Sequence, residues 1–153
     1  MRSRLATEGA PKGAAMRFIV FVKASHESES GVMPDKKGLM EMQKFNQKLA
    51  DAGLMLDGEG LHPSSKGARI FFSNGAPRVT DGPFAETKEL VAGYWLVEAK
   101  SKDEVIDWMK KAPFQDGELE IRQIFDDEEF AYAPEVMQQE KKLRAQIAQR
   151  HRS

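Results

Sequence analysis

Between Arg17 and Lys23 the chain reads RFIVFVK, a nearly continuous β-branched and aromatic run that predicts a strand buried on both faces or nearly so. The ten residues that follow, ASHESESGVM (24–33), are polar and read as a loop. From Pro34 onward apolar side chains return at Leu39, Met42, Phe45, Leu49 and Ala52, the three- and four-residue steps of one helix face. Proline suits the first turn of that helix, and Gly53 falls where a C-terminal glycine belongs. Leu54–Leu56 predicts a short strand, which runs into the turn-rich DGEGLHPSSKG. Then come ARIFFS (68–73), Asn74-Gly75 and PRVT (77–80), two short strands about a tight turn. LVAGYWLVE (90–98) is the next long β-rich run. Ser101 and Glu104 are spaced as a capping box, opening a helix with Val105, Trp108, Met109 and Ala112 on one face and Pro113 at its end. ELEIRQIF (118–125) alternates, with Leu119, Ile121, Gln123 and Phe125 on one side and Glu120, Arg122 and Ile124 on the other. Residues 134–150 are helical by pattern, with Val136, Met137, Leu143 and Ile147 as a thin stripe.

The resulting order, β–α–β–hairpin–β–α–β–α, predicts an α+β fold, a ferredoxin-like split βαβ plait with both helices on one face of an antiparallel sheet. Its strands are apolar on both sides in places, so the second face also needs cover. A second copy of the same sheet supplies it most simply, which predicts a homodimer. The domain expected is 16–126, preceded by a disordered Ala/Gly/Ser-rich leader (1–15) and followed by a helical extension (127–153).

The chain has no cysteine, which removes disulfides, thiol nucleophiles, zinc knuckles and iron–sulfur clusters. No apolar run approaches the ~20 residues of a membrane span, and residues 1–15 hold no secretory apolar stretch, so a cytoplasmic protein is expected. The formal net charge is −1, but it is unevenly spread. Residues 1–15 and 134–153 are both basic, so the domain between them is acidic, which argues against nucleic acid as a partner. The basic terminal helix is a candidate surface for a protein partner.

The most informative stretch is Val79-Thr80-Asp81-Gly82-Pro83-Phe84-Ala85-Glu86-Thr87-Lys88-Glu89-Leu90, followed by Gly93-Tyr94-Trp95, with Gly58-Glu59-Gly60-Leu61-His62-Pro63-Ser64 upstream. Together these resemble the DGPF-motif branch of the YCII-related proteins over about residues 16–125. The resemblance implies a ferredoxin-like fold of the dimeric α/β-barrel superfamily, two sheets back to back around pockets, and a possible setting beside sigma factors of RNA polymerase. The broader family carries a His near the start of the first helix, paired with an Asp. Here residues 34–52 contain no His, and Glu41 stands in that region.

Within the motif, Asp81-Gly82-Pro83 has the composition of a well-defined turn, and the same Asp81 carboxylate, partly buried at a pocket mouth, has the chemistry of a general base. Glu59, between two glycines in what reads as a turn, is either solvated or aimed into a cavity. Asp81 and Glu59 are thus the acid/base candidates, as a carboxylate pair with split pKa values. His26 and Lys88 are candidates for holding an anionic group, and Leu61, Thr80 and Phe84 complete the expected ligand contacts. Glu59-x-x-His62 has a metal-like spacing only on a helix, which Pro63 argues against, so neither a metal nor a cofactor is expected. Two functions stay open: a small-molecule-binding protein doing cofactor-free acid–base chemistry of the isomerase or lyase kind, and a non-catalytic binding or regulatory module.

Overall fold

The computed structural model describes residues 15–85 and 89–151. The expected leader therefore falls almost wholly outside the described residues. The elements are β1 (Met16–Lys23), α1 (His26–Glu29), α2 (Lys36–Asp51), β2 (Met55–Gly60), β3 (Ala68–Ser73), β4 (Ala76–Asp81), β5 (Val91–Ala99), α3 (Lys102–Met109), β6 (Leu119–Gln123) and α4 (Pro134–Arg150). The described residues up to Gln123 form one compact unit and those from Ile124 a second.

In the first unit four strands make one antiparallel sheet in the order β2-β5-β1-β6, while β3 and β4 pair only with each other. This is the strand order of a split βαβ plait, with the β3–β4 hairpin inserted in the connection from β2 to β5. One face of the sheet is the core. Phe18 and Val20 of β1 and Trp95, Val97 and Ala99 of β5 pack with Phe45 and Leu49 of α2 and Val105 and Met109 of α3. Leu119 and Ile121 of β6 join from the edge. Both helices therefore cover the same face. Trp95 is held by an edge contact with the Phe45 ring at 5.7 Å, and its indole N–H donates to Asn46 Oδ1 at 2.8 Å. A buried indole without such an acceptor would be costly.

Several expectations are corrected. Residues 24–33 are not wholly loop: Ser25 caps the short helix α1, its hydroxyl accepting from Ser28 N while Ser28 Oγ accepts from Ser25 N. Helix α2 starts after Pro34, because Asp35 is the cap and accepts from Gly38 N at 2.7 Å. Glu59 is not in a turn. At Gly58 a side chain would crowd Met55 and the Trp95 ring; with glycine there β2 runs on beside β5, and Leu61 N continues the ladder to Ala92 O at 2.8 Å. Glu104 N does take Ser101 Oγ, but the Glu104 carboxylate reaches Lys100 N rather than closing on Ser101. Helix α3 ends at Met109, before Pro113. Strand β6 ends at Gln123, so Ile124 and Phe125 leave the alternating pattern.

The second unit holds a 3-10 turn over Asp127–Phe130 and helix α4. The Phe130 ring meets Phe125 edge-on at 5.3 Å. On α4, Pro134 opens the helix and Arg144 pairs with Glu140 one turn back at 2.8 Å. Val136, Leu143 and Ile147 of its apolar stripe are exposed.

Candidate functional site

The sheet face turned away from the helices carries two rows of side chains set by the strand register. One row reads Glu59, Tyr94, Phe21, Glu120 from β2 across to β6, and the next reads Asp57, Leu96, Ile19, Arg122. Its centre is apolar: Ile19, Phe21, Tyr94 and Leu96 are half-buried and alternate with the core residues of their strands. Its β2 edge is acidic. The Tyr94 hydroxyl donates to Asp57 Oδ2 at a long 3.4 Å. Desolvation first, then the Asp57 carboxylate and the charge of Glu59, hold the Tyr94 phenol above its ordinary pKa, so it remains a hydrogen-bond donor further into alkaline pH. On the β6 edge Glu120 accepts from Lys23 Nζ at 3.1 Å and from Arg122 at 3.3 Å, and these two cations hold its carboxyl below the usual range.

At one end of this sheet three loops converge. Ala24 N donates to Leu90 O at 2.9 Å, tying the end of β1 to the segment before β5. The Glu29 carboxylate of α1 accepts from Ser64 N at 2.9 Å and from Ser64 Oγ at 2.5 Å. Ser64 Oγ in turn accepts from Phe84 N at 3.0 Å, and Gly82 N donates to Gly67 O at 3.0 Å. The Asp81-Gly82-Pro83-Phe84 segment, with a cis Gly82–Pro83 bond, is thereby seated on the 63–67 turn. The Arg69 guanidinium covers the Phe84 ring at 4.0 Å, a cation–π contact.

The sequence-derived candidates fall in different parts of this arrangement. Asp81 ends β4 opposite Ala68, and Thr80 lies opposite Arg69; both are exposed on the hairpin. Phe84 is half-buried against Arg69, and Leu61 follows β2 with its side chain exposed. Glu59 lies on the open sheet face. His26 is exposed on α1, three residues before the Glu29 that does hold the motif loop. Lys88 lies outside the described residues. Among the described residues no hydrogen bond or ion pair joins Asp81 to Glu59. The same residues contain no group of three or more His, Asp and Glu side chains placed to hold a metal. Sequence reasoning did not single out Glu29, Ser64, Asp57 or Arg69 for this site. The Ser25-x-x-Ser28 spacing caps the short helix that carries Glu29 but does not mark its contact with Ser64.

The Ser64 link allows a direct check. Ser64→Ala removes the hydroxyl that bridges Glu29 and Phe84, and should cost about 1–2 kcal/mol. Amide exchange at Phe84 should speed up far more than at Val97 of the core; equal protection in the variant would mean that the bridge does not hold the loop.

The four-stranded order, the helices on one face and the inserted hairpin define an antiparallel α+β plait of the ferredoxin-like kind. The chain matches the YCII-related domain over residues 16–128. It is also similar to an uncharacterized protein of Rhizobium meliloti (strain 1021), 32% identical over 91 residues that span 58% of this chain and 73% of that protein. The chain belongs to the YCII-related family. Among the described residues no helix is long and apolar enough to cross a membrane.

Proposed function

We propose that this chain is a homodimeric small-molecule-binding protein of the DGPF-motif branch, whose ligand site forms where two open sheet faces stack. The observation that carries this is the half-buried apolar centre Ile19, Phe21, Tyr94 and Leu96, a sheet face that the helices leave uncovered. Stacking would bury that centre and enclose the acidic edge beside it. Glu59 and Asp81 are then the acid/base candidates for cofactor-free proton transfer, with Tyr94 as a neutral donor to a substrate oxygen. Desolvation in the closed dimer is what would lift a carboxylate toward general-base duty. Phe84, Thr80 and Leu61 supply apolar and hydroxyl contacts near the motif loop, and His26 and Lys88 are candidates to hold an anionic group.

The second reading, a binding or regulatory module, is favoured by one observation: the motif loop is fixed by turn hydrogen bonds to Ser64 and Gly67, which is an architectural use of Asp81-Gly82-Pro83. Its protein partner would use the basic face of α4.

Native mass spectrometry of the gently purified protein separates the two. A dimer with a small organic adduct, lost in Glu59→Gln or Asp81→Asn, is the expected result. A dimer whose ligand is retained in both variants removes these carboxylates from the site. A monomer overturns the stacked-sheet reading.

A further inference from the structure

On the opposite side of the domain, a cleft of about 260 Å³ lies between α2 and the end of α3, lined by Glu41, Lys44, Phe45, Lys48, Trp108, Lys111 and Pro113. Its floor is aromatic: Phe45 is buried and Trp108 half-buried. Its rim is cationic, with three lysines against the single carboxylate of Glu41. Lys111 Nζ stands 4.9 Å from the centre of the Trp108 ring. Among the described residues none of the three lysines has a carboxylate partner.

This concentration of charge runs against its surroundings. The sequence makes the domain acidic, yet here three lysines line one cleft. Lys44 and Lys48 stand one helical turn apart on α2, a like-charge spacing that disfavours a helix. A lysine rim over an aromatic floor recovers that cost when an anion is present. The volume suits one ring, being just below the usual range for drug-sized ligands.

We propose that the α2–α3 cleft binds a small aromatic anion, its ring against Trp108 and Phe45 and its carboxylate, phosphate or sulfonate held by Lys44, Lys48 and Lys111. Glu41 faces the same space and disfavours a second negative group on its side, so the ligand carries its charge at one end. The site is separate from the open sheet face and does not depend on the dimer.

Phenyl phosphate is the probe, followed by the two indole N–H resonances in NMR. Trp108 reports the cleft, and Trp95, hydrogen-bonded to Asn46 in the core, is the internal reference. The Trp108 signal should shift saturably and by clearly more than that of Trp95, which lies behind Phe45. Affinity should fall about tenfold in Lys48→Glu and in Lys111→Glu, and again on raising salt to half-molar. All three lysines are exposed, so these variants should keep the wild-type fold and melting curve. Absence of a saturable shift overturns the proposal. So does equal affinity for benzyl alcohol, which carries no charge, or for inorganic phosphate, which carries no ring. Unchanged affinity in the charge-reversed variants overturns it as well.

Discussion

Gly82→Ala should destabilise the protein by about 2–3 kcal/mol, lowering its melting temperature by roughly 5–10 °C, although the change adds only one methyl group. A Cβ at position 82 would overlap the carbonyl oxygen and carbon of Ser64, both backbone atoms, so no side-chain rotation relieves the clash. The motif loop would have to lift from the 63–67 turn. Lifting it breaks the Gly82 N to Gly67 O bond and draws Phe84 N away from Ser64 Oγ. It also uncovers the Phe84 ring beneath Arg69. Gly60→Ala is the control: a Cβ there meets nothing within 4 Å, and the cost should stay within a few tenths of a kcal/mol. Hydrogen exchange completes the measurement. Amides of the motif loop should lose protection while Val20 and Val97 keep theirs. A Gly82→Ala protein that melts with the wild type would mean that the loop is not seated on Ser64.

The glycine shows where the sequence is legible and where it stops. The strand and helix periods were legible because burial on one face repeats on a fixed step: Phe45 and Leu49, and Val105 and Met109, are core residues at the positions their spacing marks. The hairpin was legible because Asn74 and Gly75 both take positive φ, 51° and 80°, as a tight turn between twisted strands demands. Helix α1 was not, since four residues are too few to show a period and its cap rests on Ser25 and Ser28. Glu59 was misplaced because glycine on either side reads as a turn locally, whereas the choice is made by β5, 35 residues away in the paired register with Tyr94. The Glu29–Ser64–Phe84 chain was invisible for the same reason. Each link joins residues 20 or 35 positions apart, and neither partner stands out by type. The candidate acid/base residues were named from a motif, and a motif fixes composition and order but carries no separation between side chains.

Residues 96 and 97 should behave as opposites, and the contrast tests the use of the open face. Val97 is fully buried between α2, α3 and the sheet. An aspartate there must either ionise in an apolar interior or stay protonated without a partner. The cost, roughly 5 kcal/mol or more, is enough to exhaust the stability of an ordinary domain, so Val97→Asp should leave an unfolded chain. Leu96 is next along β5 but points to the uncovered face beside Ile19, and it is only half-buried in the protomer. Leu96→Asp should therefore keep the circular dichroism and melting behaviour of a folded chain. It should lose the proposed dimer instead. A two-fold interface repeats each substitution, so two carboxylates would enter one seam. At about 2 kcal/mol for each, the dissociation constant should rise about a thousandfold, read by sedimentation equilibrium across a dilution series. Asp57 and Glu59 already lie on that face, so the added charge also meets like charge. A folded monomer from Leu96→Asp, alongside a wild-type dimer, supports the stacked sheets. A folded dimer from the same variant would place the contact on another surface and leave Glu59 facing solvent, without the desolvation its proposed chemistry requires.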